Sequence, residues 1–432
     1  MTYQARLKTL ENVLAEEEIP MDALREIASH GIPDEGNLRP LCWRILLGYL
    51  PLNKREWAGH VRKQRANYAQ LILDLIVHPG SQQSPSHDDH PLSLSEDSEW
   101  SHFFKDNEVL LQIDKDCRRL CPELSFFQQA SRSPRLEVLE SGLGSLSQRV
   151  AQALLQAEVL TRDRSGKQNL VQSRKVAPDA YCSLEGEKAE AHWEVVQRIL
   201  FIYAKLNPGV KYIQGMNELI GPLYYTLATD KDEEWALEAE ADAFFCFQNL
   251  MSEVKDQFIK SLDGTSVGIE QSMSHLYGLL EAKDPILYDF LAQQLEIRPQ
   301  FFAFRWISLL LSQEFLLPDV VRLWDTLFSD AERFEFLYFF CCAMIVSIRE
   351  ELMSSDFGTC MKLLQNYPEA DVGRLVELGK HLKEPAFLVS ERRNSEGSRG
   401  SRLLEENVKF WRNLTKNLRS QLRNASSSSN NC

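Results

Sequence analysis

Apolar side chains recur at three- and four-residue intervals along this 432-residue chain, and that period constrains the fold more than any other feature. In residues 4–17 the stripe is Leu7, Leu10, Val13 and Leu14. Residues 20–33 read as a helix opened by Pro20 and stopped by Gly31 and Pro33. Further helices are expected over 39–50, 55–76, 102–128, 189–209 and 318–328, in close order to about residue 382. From residue 189 onward no two-residue alternation or hairpin signal competes with them. Stripes of this kind are buried helix against helix, so the expected fold class is all-α. The most apolar run, residues 336–348, is too short to cross a bilayer and is read as a core helix.

The pattern breaks in three places. Residues 79–98 are rich in Pro, Ser and acid and read as a loop. Its His87-Asp88-Asp89-His90 run lacks further ligands at metal-site spacing, so no metal is expected. Residues 129–189 read as a long flexible insertion. Residues 390–402 read as a low-complexity linker. Beyond it, Leu404, Val408, Trp411, Leu414, Leu418 and Leu422 share one helical face, flanked by Lys409, Arg412, Lys416, Arg419 and Arg423. A basic amphipathic helix over 403–423 suits an anionic membrane surface, a partner groove or its own domain.

Charge excludes one class of function. The formal net charge is −14, and residues 383–432 hold ten basic against five acidic side chains, so the rest carries −19. That is no footprint for nucleic acid. Nine unevenly spaced cysteines, mostly among apolar neighbours, suggest a reduced, cytoplasmic protein. The phosphate loop, the dinucleotide fingerprint, the paired-His zinc helix and the serine elbow are missing. No cofactor of its own is expected.

Two stretches place polar residues in apolar, helical surroundings. In Ile-Asp-Lys-Asp-Cys-Arg-Arg (113–119), Ile113, Asp116 and Arg119 are spaced by three. On a helix Ile113 would anchor the face while Asp116 holds Arg119 by a charge-assisted hydrogen bond. The plainer reading is a surface ion pair with Arg118 and Arg119 solvated. In Tyr-Ile-Gln-Gly-Met (212–216), Gln214 falls at a loop-to-helix junction and Gly215 permits close backbone approach. The plainer reading is a turn glutamine bonded to its own backbone.

The pair of motifs, I-x-x-D-x-x-R followed by Y-x-Q-G-M, resembles the TBC-domain family, activators of Rab-type small GTPases. Residues 31–51, with Arg39 and Trp43, look like that family's opening segment. Residues 301–328 look like its later signature, with Arg305-Trp306, Glu314, Pro318 and Trp324-Asp325. The resemblance implies a domain over 31–370, after a helical extension (1–30) and before a C-terminal region (371–432). It implies two helical subdomains forming a groove for the GTPase. Carried over, Arg119 is the arginine finger, Gln214 the glutamine finger and Asp116 the orienting residue. Tyr212, Gly215 and Met216 are then partner-binding. The partner would be a GTP-bound Rab bringing its own GTP and Mg²⁺, in vesicle trafficking at endomembranes. A non-catalytic Rab-binding scaffold is the alternative. Family members often have Thr after the finger; here Leu120 stands there, at a position read as structural.

Overall fold

The computed structural model describes residues 3–76, 98–134, 146–151, 181, 189–258 and 268–384. The His87–His90 run, most of the expected insertion, the linker and the 403–423 segment lie outside them. The described residues form helices with no β-sheet, and two isolated bridges tie Glu18 to Asn53 and Ala130 to Ala191. The N-terminal elements are α1 (Tyr3–Ala15), α2 (Met21–Ala28), α3 (Arg39–Leu46), α4 (Trp57–Leu75) and α5 (Glu99–Cys117). There follow α6 (His192–Leu206), α7 (Met216–Ala228), α8 (Glu233–Leu237) and α9 (Ala239–Val254). The C-terminal elements begin with α10 (Ile269–Lys283), α11 (Pro285–Tyr288), α12 (Ala303–Ser308) and α13 (Leu317–Ser329). They end with α14 (Glu335–Ser347), α15 (Arg349–Met353), α16 (Phe357–Gln365) and α17 (Val372–Lys383).

The expected 102–128 helix is in fact two pieces: α5 stops at Cys117, and a separate 3₁₀ turn covers Ser125–Gln128.

Helix α6 is the axis of the first group. It is buried from His192 through Ala204, and α5, α7, α9 and α4 pack around it. A helix enclosed by others on all sides has no solvent face to keep, although its sequence holds polar residues. Its buried polar side chains are paired instead: Gln197 Nε2 donates to Asp114 Oδ1 (3.0 Å), and Arg198 binds Glu190 and Glu240. In the second group α14, the apolar run of 336–348, packs on α17, α10 and α12.

Helix α13 joins the groups, touching α2, α3 and α7 on one side and α17 on the other. Pro318 opens it, in the first turn where a missing N–H costs nothing. Trp43 lies 6.0 Å from Trp324 and edge-on to Phe328 at 5.0 Å. Beneath them, fully buried Asp325 accepts from Trp43 Nε1 (2.8 Å), Arg39 Nε (3.1 Å) and the Ile32 amide (2.9 Å). The Arg39/Trp43 motif and the Trp324-Asp325 motif, 286 residues apart, thus form one internal anchor. Arg305 similarly pairs with Glu314 through two bonds of 2.6 and 2.9 Å. Among the described residues no helix is long and apolar enough to cross a membrane.

Candidate functional site

Leu110, Ile113 and Cys117 are fully buried and fix the last turns of α5 against the core. The chain then turns: the Arg118 amide bonds to Asp114 O, and the Arg119 amide to Asp116 O. This ending separates two adjacent arginines. Arg118 is drawn inward by Asp114 (Nε to Oδ2, 2.7 Å), by the Tyr181 carbonyl (2.6 Å) and by the Trp193 ring, 4.5 Å away. Arg119 is exposed and makes no ion pair or hydrogen bond through its side chain among the described residues. Next, Leu120 is fully buried over α7. A Cβ on Gly221 would stand 2.7 Å from Leu120 Cδ1, so the leucine and the glycine are fitted to each other.

The expected hydrogen bond from the Arg119 guanidinium to Asp116 does not form. The helix ends at Cys117, so the three-residue helical spacing no longer holds when Arg119 is reached. Asp116 Oδ2 instead accepts from Tyr212 Oη at 2.6 Å. Burial pushes the Asp116 carboxyl up, while the Tyr212 hydrogen bond and the charge of Arg119 pull it back. Asp116 therefore meets Arg119 through its field and Tyr212 through contact.

That bond joins the two motifs. The segment after α6 leads from Tyr212 into α7 through Gly215, whose φ of +102° is a conformation L side chains rarely adopt. A Cβ there would lie 2.7 Å from Leu309 Cδ2. The space beside Gly215 is thus filled by this chain's own leucine, not left open for a partner. Tyr212 is nearly buried and Met216 fully so. The side chains of Tyr212 and Met216 face inward, and a partner could meet these positions only along the backbone. Between them Gln214 is exposed in the turn before α7, with no side-chain hydrogen bond among the described residues, its own backbone included.

Arg119 borders a cleft of about 690 Å³ lined by Pro122, Glu123, Glu218, Phe315, Leu316 and Asp319, among others. Two residues that sequence reading passed over connect it to the motifs. Asn217 Nδ2 donates to Glu218 Oε1 (2.9 Å) and reaches the Asp116 carbonyl at 3.5 Å. Burial raises the Glu218 carboxyl to about 7, against donors from Gln313 and Asn217 that lower it. Two consecutive polar residues in the first turn of an apolar helix were the available signal. Among the described residues no group of three or more His, Cys, Asp or Glu could hold a metal ion.

The chain belongs to the Rab-GTPase-TBC domain family, whose model matches residues 179–353. That match contains Gln214 and Asp325 and begins after Arg119. The chain is 50% identical to TBC1 domain family member 13 of Mus musculus and of Homo sapiens, over 88% of this chain and 98% of each relative. It is 33% identical to a TBC domain-containing protein of Schizosaccharomyces pombe, over 88% of this chain and 72% of that one. The fold resembles the crystal structure of the Ypt/Rab-GAP domain of Gyp1p, with a TM-score of 0.62 at 23% identity, over 88% and 98% of the chains.

Proposed function

We propose that this chain accelerates GTP hydrolysis by a Rab-family GTPase, with Arg119 and Gln214 entering the partner's active site in trans. The observation that carries the reading is the Tyr212–Asp116 hydrogen bond. It ties two segments whose neighbouring side chains are buried, leaving Arg119 and Gln214 exposed and without side-chain partners among the described residues.

The chemistry follows from what a GTPase lacks. Its GTP and Mg²⁺ leave negative charge on the γ-phosphoryl oxygens in the transition state. A guanidinium supplied from outside offsets that charge, worth about 10³–10⁵ in rate, or roughly 4–7 kcal/mol of barrier. The carboxamide of Gln214 orients the attacking water by donating to and accepting from it. The GTP-bound Rab is accordingly the partner, and GTP and Mg²⁺ arrive with it. Action at endomembranes in vesicle trafficking accords with this role.

The test is single-turnover GTP hydrolysis by a panel of purified Rabs with the native chain, Arg119→Ala, Gln214→Ala and Arg118→Ala. Acceleration of one or a few Rabs, lost in Arg119→Ala and Gln214→Ala at unchanged melting temperature, is expected. Arg118→Ala should instead lower the melting temperature, because it leaves Asp114 without its ion pair. Binding of a Rab without acceleration would replace this reading with a non-catalytic scaffold.

A further inference from the structure

A second concave site lies at the other end of α7 from Gln214. From Gly215 to Ala228 the chain climbs thirteen residues of helix, roughly 20 Å at 1.5 Å per residue. There a cavity of about 450 Å³ opens between the ends of α6, α7, α8 and α9 and the segment 129–133. Its size falls in the range of small-molecule sites. Its outer wall is held in place: Ser131 N donates to Glu190 O (2.7 Å) and His192 N to Gln129 O (3.1 Å), an antiparallel bridge around Ala130 and Ala191.

The polar lining divides in two. The carboxylates are taken up from inside the protein. Asp230 is held by Arg44 (2.9 Å) and by Asn37, and Glu240 by Arg198 (2.7 and 2.9 Å) and Tyr68 (2.7 Å). Arg198 is shared with Glu190, behind the cavity. The cations are not taken up. Arg132 and Lys231 line the cavity, are exposed and make no ion pair among the described residues.

At the base is His192, 8% exposed. Its Nδ1 meets Tyr224 Oη at 2.7 Å, and its ring stacks on Phe126 with centroids 4.1 Å apart. Its Nε2 has no protein partner among the described residues. Burial and the nearby Arg132 hold the imidazole down to about 4, so it is neutral at pH 7. In the neutral ring one nitrogen donates and the other accepts, so with Nδ1 on Tyr224 the Nε2 offers one further hydrogen bond. The Ser131 and Ser133 hydroxyls complete the polar lining, whereas the Thr229 hydroxyl is already donated to the Tyr225 carbonyl (2.7 Å); Phe126 and Leu237 are among the apolar side chains.

Two exposed cations with no ion pair among the described residues, serine hydroxyls and a fixed imidazole around a concave space suit a compact tetrahedral anion on a small organic body. We infer that this cavity binds a phosphate ester, with Arg132 and Lys231 as charge partners and His192 at its base. The site shares no lining residue with the Arg119 cleft, and the inference stands whether or not the chain activates a GTPase.

Phosphate esters reach a protein free in solution or as lipid headgroups, and the experiment separates the sources. The full chain and Arg132→Glu/Lys231→Glu would be titrated calorimetrically with inositol trisphosphate. Both would also be floated with phosphatidylcholine vesicles with and without a phosphoinositide. Both changed residues are exposed, so an unchanged melting temperature is expected. Saturable binding of the soluble ester, at least about tenfold weaker in the double variant, supports the site. If vesicles holding the phosphoinositide also float the native chain better than the double variant, the lipid is the source. If only the soluble ester shows the difference, the source is a free ester. Absence of binding to either probe, or equal binding by both proteins, overturns the inference. Equal binding would place any affinity elsewhere, such as in the basic residues of 403–423.

Discussion

Tyr212→Phe removes one hydroxyl and should loosen the two finger segments together. The lost bond is short, 2.6 Å, and its acceptor is a carboxylate that burial already pushes up. Hydrogen bonds to charged groups contribute about 1.5–3 kcal/mol, and a buried acceptor left unmet costs a similar amount. The variant should therefore melt a few degrees lower. If the bond also sets where Gln214 stands relative to Arg119, GTP hydrolysis by the responsive Rab should slow by roughly ten- to a hundredfold, the same energy expressed as a rate. Asp116 should also hold its proton to a higher pH in the variant, having lost the bond that favours its charged form. Asp116→Asn is the matching control. Its amide oxygen still accepts the Tyr212 hydroxyl, so it should keep its stability and report only the loss of charge beside Arg119. Differential scanning calorimetry and single-turnover kinetics on all three proteins decide the matter. A Tyr212→Phe protein with native melting temperature and native acceleration would refute the clamp.

Gly215→Ala forces a side chain into a left-handed backbone 2.7 Å from Leu309 Cδ2, and should lose about 1–3 kcal/mol in urea unfolding. Adding Leu309→Ala should relieve the clash but not the dihedral strain, so stability recovers less than expected from the clash alone. Asp325→Asn turns one of two acceptors into a donor facing Arg39, Trp43 and the Ile32 amide. It should cost about 3–5 kcal/mol as a lowered urea midpoint. Glu218 keeps its proton to about pH 7 when folded but gives it up nearer 4.3 when unfolded. Folding then takes up a proton between those values, so this group's contribution to stability declines as pH rises through the window and levels off above 7. Glu218→Gln should abolish the decline, so its melting temperature relative to the native chain should climb from pH 5 to pH 8. A constant difference across that range would show that Glu218 ionises normally.

What sequence alone determined about this protein was local and periodic. The three-to-four-residue spacing set helices at α1, α4, α6 and α13, and an unbroken apolar run set α14, because each signal is written within one segment. The resemblance of two short motifs to the TBC-domain family marked Arg119 and Gln214, and the structure shows both side chains exposed. Tertiary structure decided what each neighbour does. Asp116 and Arg119 are three apart, yet the helix ends between them, and the carboxylate turns to Tyr212, ninety-six residues away. Arg118 and Arg119 look alike in the chain and differ only because Asp114, Trp193 and Tyr181 converge on one of them. Gly215 reads as an opening for a partner until Leu309 is seen filling it. Arg39, Trp43 and Asp325 read as separate motif letters and prove to be one buried contact across 286 residues. A helix is specified by residues a turn apart, which sequence displays directly. A hydrogen bond or a packed methyl is specified by whatever the folded chain brings within about 4 Å, and sequence separation carries no trace of that distance.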